Sequence, residues 1–287
     1  KTTHRGRYSQ PTPAYSAVDY MNGVRRTQEY ISSGDVYQLV LSTRFSGKHE
    51  LDPFQAYRAL RLINPSPYMY YCALGDVTVV GSSPEALVKL KGGRAQLRPI
   101  AGTRPRSDDV ATDAAREAEL RADPKENAEH IMLVDLARND LGRVARAGSV
   151  HVDPYRSIER YSHVMHIVSG VQGELAPGCD AFDLFAAAFP AGTLVGAPKV
   201  RAMQIIDELE PVSRGLYGGT VGYFGARGGD MDHAITIRTL VFRGDEYSYQ
   251  AGAGIVADSV PETEHEEVLA KSGAMVRALE IAGGTGL

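Results

Sequence analysis

Apolar positions recur along the chain at two periods. In residues 16–33 they fall at Val18, Met21, Val24 and Tyr30 among polar neighbours, the spacing of one helix face, and Gly34 follows as a stop. DVYQLVLSTRF (35–45) is a near-continuous apolar run that predicts a buried strand. A second helix is predicted over 53–63, ended by NPSP. Strand-like runs then flank Gly75-Asp76, Gly92-Gly93 and Gly244-Asp245. Glycine at the first central position is what a type II′ turn demands, so these strands should pair antiparallel. Helices are expected at 110–142, 180–188, 197–209 and 261–281, with no strict alternation of strand and helix. The fold class this predicts is α+β, with large antiparallel β-sheets packed together and flanked by helices, and not a dinucleotide-binding domain. Residues 1–15, polar and marked by prolines, read as an arm or linker ahead of one domain over 16–287.

Two of these helices carry acidic pairs. In DPKENAEHIMLVDLARNDLG, Asp123 suits the N-cap, Pro124 the first helical position, and Glu126 the place of a capping box. Ile131, Met132, Val134, Leu136 and Leu141 form the expected apolar face, while Glu126 and Glu129 share another. In PETEHEEVLAKSGAMVRAL, Glu264, Glu267 and Lys271 fall on one stripe beside Val268, Leu269, Met275, Val276 and Leu279. Paired carboxylates on two helices are what a hard divalent cation such as Mg²⁺ needs. An acidic first turn also answers the helix dipole, and Lys271 also answers Glu267 within its own helix.

The 287 residues carry a net charge of −4, which gives no reason to expect nucleic acid or an anionic membrane surface as partner. Cys72 and Cys179 lack a CxxC spacing. They read as ordinary thiols of a reduced, cytoplasmic protein, with a bridge between them left open.

Three glycine-rich segments read as ligand-approach turns: PIAGTRPR (99–106), FPAGTLVGAPKVRAM (189–203) and QAGAGIV (250–256). None is a P-loop. Arg238, read as part of a strand AITIRTL, should point away from the apolar face of that strand. A cation flanked by Arg238 and Lys271 fits a ligand with two separated anionic groups. His163 and His166 sit an odd number of residues apart, so only one can face a site from a strand.

At this point the sequence resembles the chorismate-utilising enzymes, and among them the large subunits of anthranilate synthases. The resemblance runs from about Ser16 to Arg277. It rests on GDVYQLVLS, NPSPYMYY, GSSPEALV, PIAGTRPR, ENAEHIMLVDLARND, YSHVMHIVS, FPAGTLVGAPKVRAM, YGGTVGYF, AITIRT and AGAGIVADSVPETEHEE, in that order. It implies Mg²⁺ as cofactor, with Glu129 and Glu267 as ligands and Glu126 and Glu264 behind them. It implies Tyr217 and Arg238 for the enolpyruvyl carboxylate of chorismate. Gly102, Thr103, Thr193, Gly252, Ala253, Gly254 and Lys271 match the rest of the cradle.

The same resemblance implies a lyase making anthranilate and pyruvate from chorismate and ammonia, the first step of tryptophan biosynthesis. Glu85 matches the acid that protonates the departing C4 hydroxyl, and His166 the histidine near pyruvate loss; His163 matches no role. Isochorismate-forming relatives carry a water-activating lysine where Gln38 stands, and aminodeoxychorismate-forming ones a nucleophilic lysine where Ala101 stands. Neutral Gln38 and the methyl group of Ala101 can do neither. Pro67, Tyr68 and Met69 match part of a tryptophan regulatory site, whose remainder belongs to an N-terminal region expected to be absent. Neither cysteine has a glutaminase context, so a glutamine amidotransferase subunit is the expected ammonia source. The alternatives are an enzyme stopping at an aminated intermediate or making aminodeoxychorismate, and a fragment that binds ligand or partner without turnover.

Overall fold

The structure is a computed structural model that describes residues 6–161 and 164–284. In chain order the elements begin with β1 (Thr12–Pro13), α1 (Ala17–Ser32), β2 (Gln38–Lys48), α2 (Pro53–Ile63), β3 (Tyr68–Leu74) and β4 (Val77–Ser83). Next come β5 (Ala86–Lys91), β6 (Arg94–Leu97), β7 (Ile100–Pro105), α3 (Val110–Ala122), α4 (Pro124–Gly142) and β8 (His151–Val152). They are followed by β9 (Ser157–Arg160), β10 (Val164–Val168), β11 (Val171–Glu174), α5 (Ala181–Ala188), α6 (Gly192–Val195) and β12 (Gly196–Ala197). The last are α7 (Lys199–Leu209), β13 (Thr220–Phe224), β14 (Asp230–Ile235), β15 (Thr239–Arg243), β16 (Glu246–Ile255) and α8 (Pro261–Ala282).

The chain divides into two compact units: residues 1–84, 193–220 and 235–287, and residues 85–192 and 221–234. The first unit is built on an antiparallel sheet in the order β1-β2-β16-β15-β4-β3, with β12 also paired to β2. Strand alternation decides its two faces. Tyr247, Tyr249, Ala251, Ala253 and Ile255 of β16 turn into a core with Leu39, Leu41, Leu240 and Phe242. Helices contribute Tyr20, Val24, Ala56, Leu60, Val268, Met275 and Leu279 to it. Gln250, Gly252 and Gly254 are therefore left on the opposite face. The arm is tied down over part of its length: Thr12 and Pro13 pair with Ser46 and Phe45, and Tyr8 bridges His49. The second unit carries a sheet in the order β13-β14-β5-β6-β11-β8 and a three-stranded one, β7-β10-β9, covered by helices that include α3 and α4. No helix among the described residues is long and apolar enough to cross a membrane. Cys72 and Cys179 are both free thiols.

The α+β class with antiparallel hairpins is borne out, with local corrections. The helix expected over 110–142 is two, because Pro124 excludes the helical conformation at Asp123, which takes ψ 114° and caps α4 instead. QAGAGIV and PIAGTRPR lie largely in strands β16 and β7, not in turns. ITIRTLVFR is broken: Thr236 N–H and C=O bond Gly219 and Gly218, drawing the chain off the ladder, and Arg238 takes φ +51° between β14 and β15. Gly92 and Gly93 both have positive φ, the signature of a type I′ turn, not II′.

Three helix faces are rotated from the expected stripes. Val18, Ile131 and Leu269 are exposed, while Tyr20, His130 and Leu133, Glu264 and Ser272 are buried. Small and polar residues occupy core positions that a reading of large apolar ones passes over. Glu126 closes no capping box; its carboxylate accepts from Arg104 Nη1 at 3.2 Å.

Asp123 accepts from the amides of Lys125 and Glu126, and its contact with Arg104 Nη2 is 2.9 Å. The Glu126 amide first, helped by Arg104, holds its carboxyl below the usual carboxylate range. A depressed folded value means the contribution is present above the unfolded carboxylate pKa and is lost as pH falls through the folded one. Asp123→Ala should cost about 1 kcal/mol in urea unfolding at neutral pH and less in acid; a difference that does not shrink with pH would contradict the assignment of the cap.

Candidate active site

Each unit carries part of the expected constellation. In the first, Gly252 of β16 stands opposite Ser42 of β2. A Cβ at Gly252 would lie 2.8 Å from Ser42 Cβ, 2.9 Å from the Leu41 carbonyl oxygen and 3.0 Å from the Tyr217 hydroxyl oxygen. Only glycine leaves this stretch of backbone open beside Tyr217. Lys271 Nζ donates to the Gly252 carbonyl at 3.0 Å and pairs with Glu267 at 2.6 Å. It thus serves both the cradle strand and its own helix. Ala253 turns its methyl group into the core, so only its backbone is available on the other face.

Burial pushes the Tyr217 hydroxyl up to about 12, so it is a neutral hydrogen-bond donor at working pH. The same cause holds the Arg238 guanidinium below its ordinary value, partly offset by Tyr217. Among the described residues no carboxylate pairs with Arg238. A desolvated cation with no anion is costly unless a ligand supplies one. Its φ of +51°, rare outside glycine, adds backbone strain of the kind that collects at binding sites. Thr193 lies in the short α6, and its buried hydroxyl oxygen has no partner among the described residues. Gln38 opens β2 at 3 % exposure with Oε1 likewise unpartnered. Pro67 precedes β3, in which Tyr68 and Met69 pair with Ser83 and Ser82.

In the second unit the pairing of β10 with β7 slips by one residue: His166 stands opposite Thr103, and Ile167 opposite Ala101. Gly102 is the extra residue, a β-bulge with φ +68°. The bulge aims the Gly102 carbonyl and Thr103 Oγ1 at His166 Nδ1, both at 3.0 Å. A carbonyl only accepts, so Nδ1 carries hydrogen. A Cβ on Gly102 would also stand 3.1 Å from Glu126 Oε2, so the bulge brings that carboxylate against β7. Glu129 lies half-buried one turn further along α4, and Glu85 half-buried just before β5. His163 lies outside the described residues.

On α8, Glu264 is buried at 4 % exposure and Glu267 is exposed. Among the described residues no group of three or more acidic, histidine or cysteine side chains forms a ready metal cage. On α4 and on α8 alike, the two carboxylates stand one turn apart on their own helix.

Sequence reasoning missed the Gly102 bulge, the Arg104 clamp on Glu119, Asp123 and Glu126, and the pairing of Glu210 with Arg214. The last had a signal in its i, i+4 charge spacing just past Leu209. Gly252→Ala should cost about 1–3 kcal/mol in denaturant unfolding, because the Leu41 backbone cannot yield to the added methyl group. Unchanged stability would show that the strand pair is looser than its geometry.

The sequence matches the family of chorismate binding enzymes over residues 1–277. It is 56% identical over 268 residues to anthranilate synthase component 1 of Aquifex aeolicus, covering 93% of this chain and 54% of that protein. The Pseudomonas putida component 1 is 55% identical, with 94% and 54% covered. The chain thus spans about half the length of the curated relatives it matches. The crystal structure of anthranilate synthase component I from Streptococcus pneumoniae superposes with a TM-score of 0.87 at 42% identity, covering 95% of this chain and 60% of that one. The desolvated Arg238 beside Tyr217, the open backbone at Gly252 and the helical carboxylate pairs lie within the matched residues, and the chain belongs to the chorismate binding enzyme family.

Proposed function

We propose that the chain acts as an Mg²⁺-dependent anthranilate synthase, converting chorismate and ammonia to anthranilate and pyruvate, the first step of tryptophan biosynthesis. The observation that carries this reading is Arg238, a desolvated guanidinium beside the neutral Tyr217 hydroxyl with no carboxylate partner among the described residues. Together they suit the enolpyruvyl carboxylate, and the amides and carbonyls around Gly252–Gly254 suit the ring above them. Glu129 and Glu267 would hold Mg²⁺, with Glu126 and Glu264 behind them. When bound, the ion neutralises the second substrate carboxylate.

Ammonia adds at C2 as the C4 hydroxyl leaves, and Glu85 donates the proton that turns a poor leaving group into water. His166, its Nδ1–H donated to the Gly102 carbonyl, would take the C2 proton through Nε2 as pyruvate departs. Buried, neutral Gln38 offers no base to activate water, and Ala101 offers no nucleophile, which favours direct amination by ammonia. A glutamine amidotransferase subunit supplies the ammonia. A cytoplasmic setting accords with the two free thiols. Pro67, Tyr68 and Met69 are the part of a tryptophan site that this chain carries.

With chorismate, Mg²⁺ and ammonium, the protein should release anthranilate and pyruvate in equal amounts, faster as pH raises the free-ammonia fraction. Glutamine should support no turnover until an amidotransferase subunit is added. Accumulation of a non-fluorescent aminated product would move the assignment to an enzyme that stops before aromatisation, and anthranilate made from glutamine alone would overturn the two-subunit reading. Glu85→Gln should bind chorismate normally and lose roughly 10²–10⁴-fold in turnover, the usual worth of a positioned acid. Unchanged turnover would remove Glu85 from the reaction.

A further inference from the structure

We propose that Glu210 and Arg214 form a positioning pair that holds Tyr217 and the turn carrying Thr193 in place for the anionic ligand. The proposal rests on the reading of Tyr217 and Thr193 given above. Its origin is a gap in a sheet. Along one edge β2 is paired with β16 from Leu39 to Lys48; along the other, β12 covers only Gln38 and Leu39, and β1 only Phe45 and Ser46. Between them the Val40 carbonyl and the Ser42 amide point to the same side, and no strand among the described residues arrives to satisfy them.

The two charged side chains take the strand's place. Glu210 Oε1 accepts from Ser42 N at 2.8 Å and from Ser42 Oγ at 2.7 Å. Arg214 Nη2 donates to the Val40 carbonyl at 2.7 Å, and Nε and Nη2 grip the Glu210 carboxylate at 2.9 and 2.7 Å. The side chains are 15 % and 3 % exposed for Arg214 and Glu210. An ion pair so buried is poor at stabilising a fold for its own sake. Its geometry shows another use.

The remaining arm of the fork, Arg214 Nη1, donates to the Leu194 carbonyl at 2.5 Å, one residue from Thr193. The guanidinium carbon lies 5.5 Å from the centroid of the Tyr217 ring. One planar cation therefore ties three segments to one another: β2 at Val40, opposite Gly254, the α6 turn with Thr193, and the loop with Tyr217. Lysine, a point charge without a fork, can serve one of these partners and not all.

The test uses the full chain with Mg²⁺ and no ammonium, so that chorismate binds without being consumed. Affinities are measured for Arg214→Lys, Tyr217→Phe and the double variant, at denaturant-free conditions where unfolding curves show each to be folded. Arg214→Lys should weaken chorismate by about tenfold or more, equivalent to about 1.4 kcal/mol. The double variant should bind about as weakly as the worse single one, because Arg214 acts through Tyr217 and coupled sites are not additive. Glu210→Gln, which keeps the shape and loses the charge, should show the same coupling to Tyr217→Phe and stands in if Arg214→Lys does not fold. Wild-type affinity in both folded variants, or strictly additive losses, overturns the pair's role. Wild-type affinity in Tyr217→Phe alone overturns the reading of Tyr217 and the pair's role with it.

Discussion

A half-buried cation with no carboxylate partner among the described residues governs the first unit. Keeping Arg238 desolvated costs free energy that neither the core nor the sheet returns, and the backbone at this residue is strained as well. The surroundings accept that cost in a specific way. The chain leaves β14 after Ile235, Thr236 is drawn onto the Gly218–Gly219 turn, and the Arg238 carbonyl takes the Ser82 amide at 3.1 Å before β15 begins. The break that strains Arg238 is thus the same break that sets it beside Tyr217. Under the proposed function, a ligand carboxylate would supply the partner that Arg238 lacks among the described residues.

The second unit solves a different problem with one glycine. The extra residue at Gly102 breaks the β7–β10 register, gives the His166 ring a carbonyl to donate to, and leaves room for the Glu126 carboxylate. Arg104, on the same strand, gathers Glu119, Asp123 and Glu126 and so locks the start of α4 to β7. A single departure from regular pairing positions both a candidate proton acceptor and the helix bearing Glu129.

How much of this was legible depended on the range of the interaction. The hairpins at Gly75 and Gly244 and the limits of α2 follow from neighbouring residues alone, and they were read correctly. The start of α4 was read correctly, with Asp123 as its cap and Pro124 as its first residue, although the span 110–142 was not divided there. The break at Arg238 was not legible, because an unbroken run of β-formers hides it and the Gly218–Gly219 turn that causes it lies far along the sequence. The Gly102 bulge is invisible for the same reason: a register shift is a property of two strands. Arg238 and Gly252 were singled out from strand alternation and glycine spacing, whereas Tyr217 was found only through motif resemblance. Glu210 and Arg214, which no motif named, emerged only from the gap beside β2.

Thermal unfolding of the protein and of Arg238→Met, each with and without chorismate in the presence of Mg²⁺, tests the central claim most directly. Ligand that binds only the folded state raises the midpoint. Chorismate should raise it for the native protein. Arg238→Met should melt at the same temperature or higher without ligand, since an unpaired desolvated charge is gone, and chorismate should no longer shift it. A variant that melts several degrees lower on its own, or that still gains the full shift from chorismate, would contradict the account.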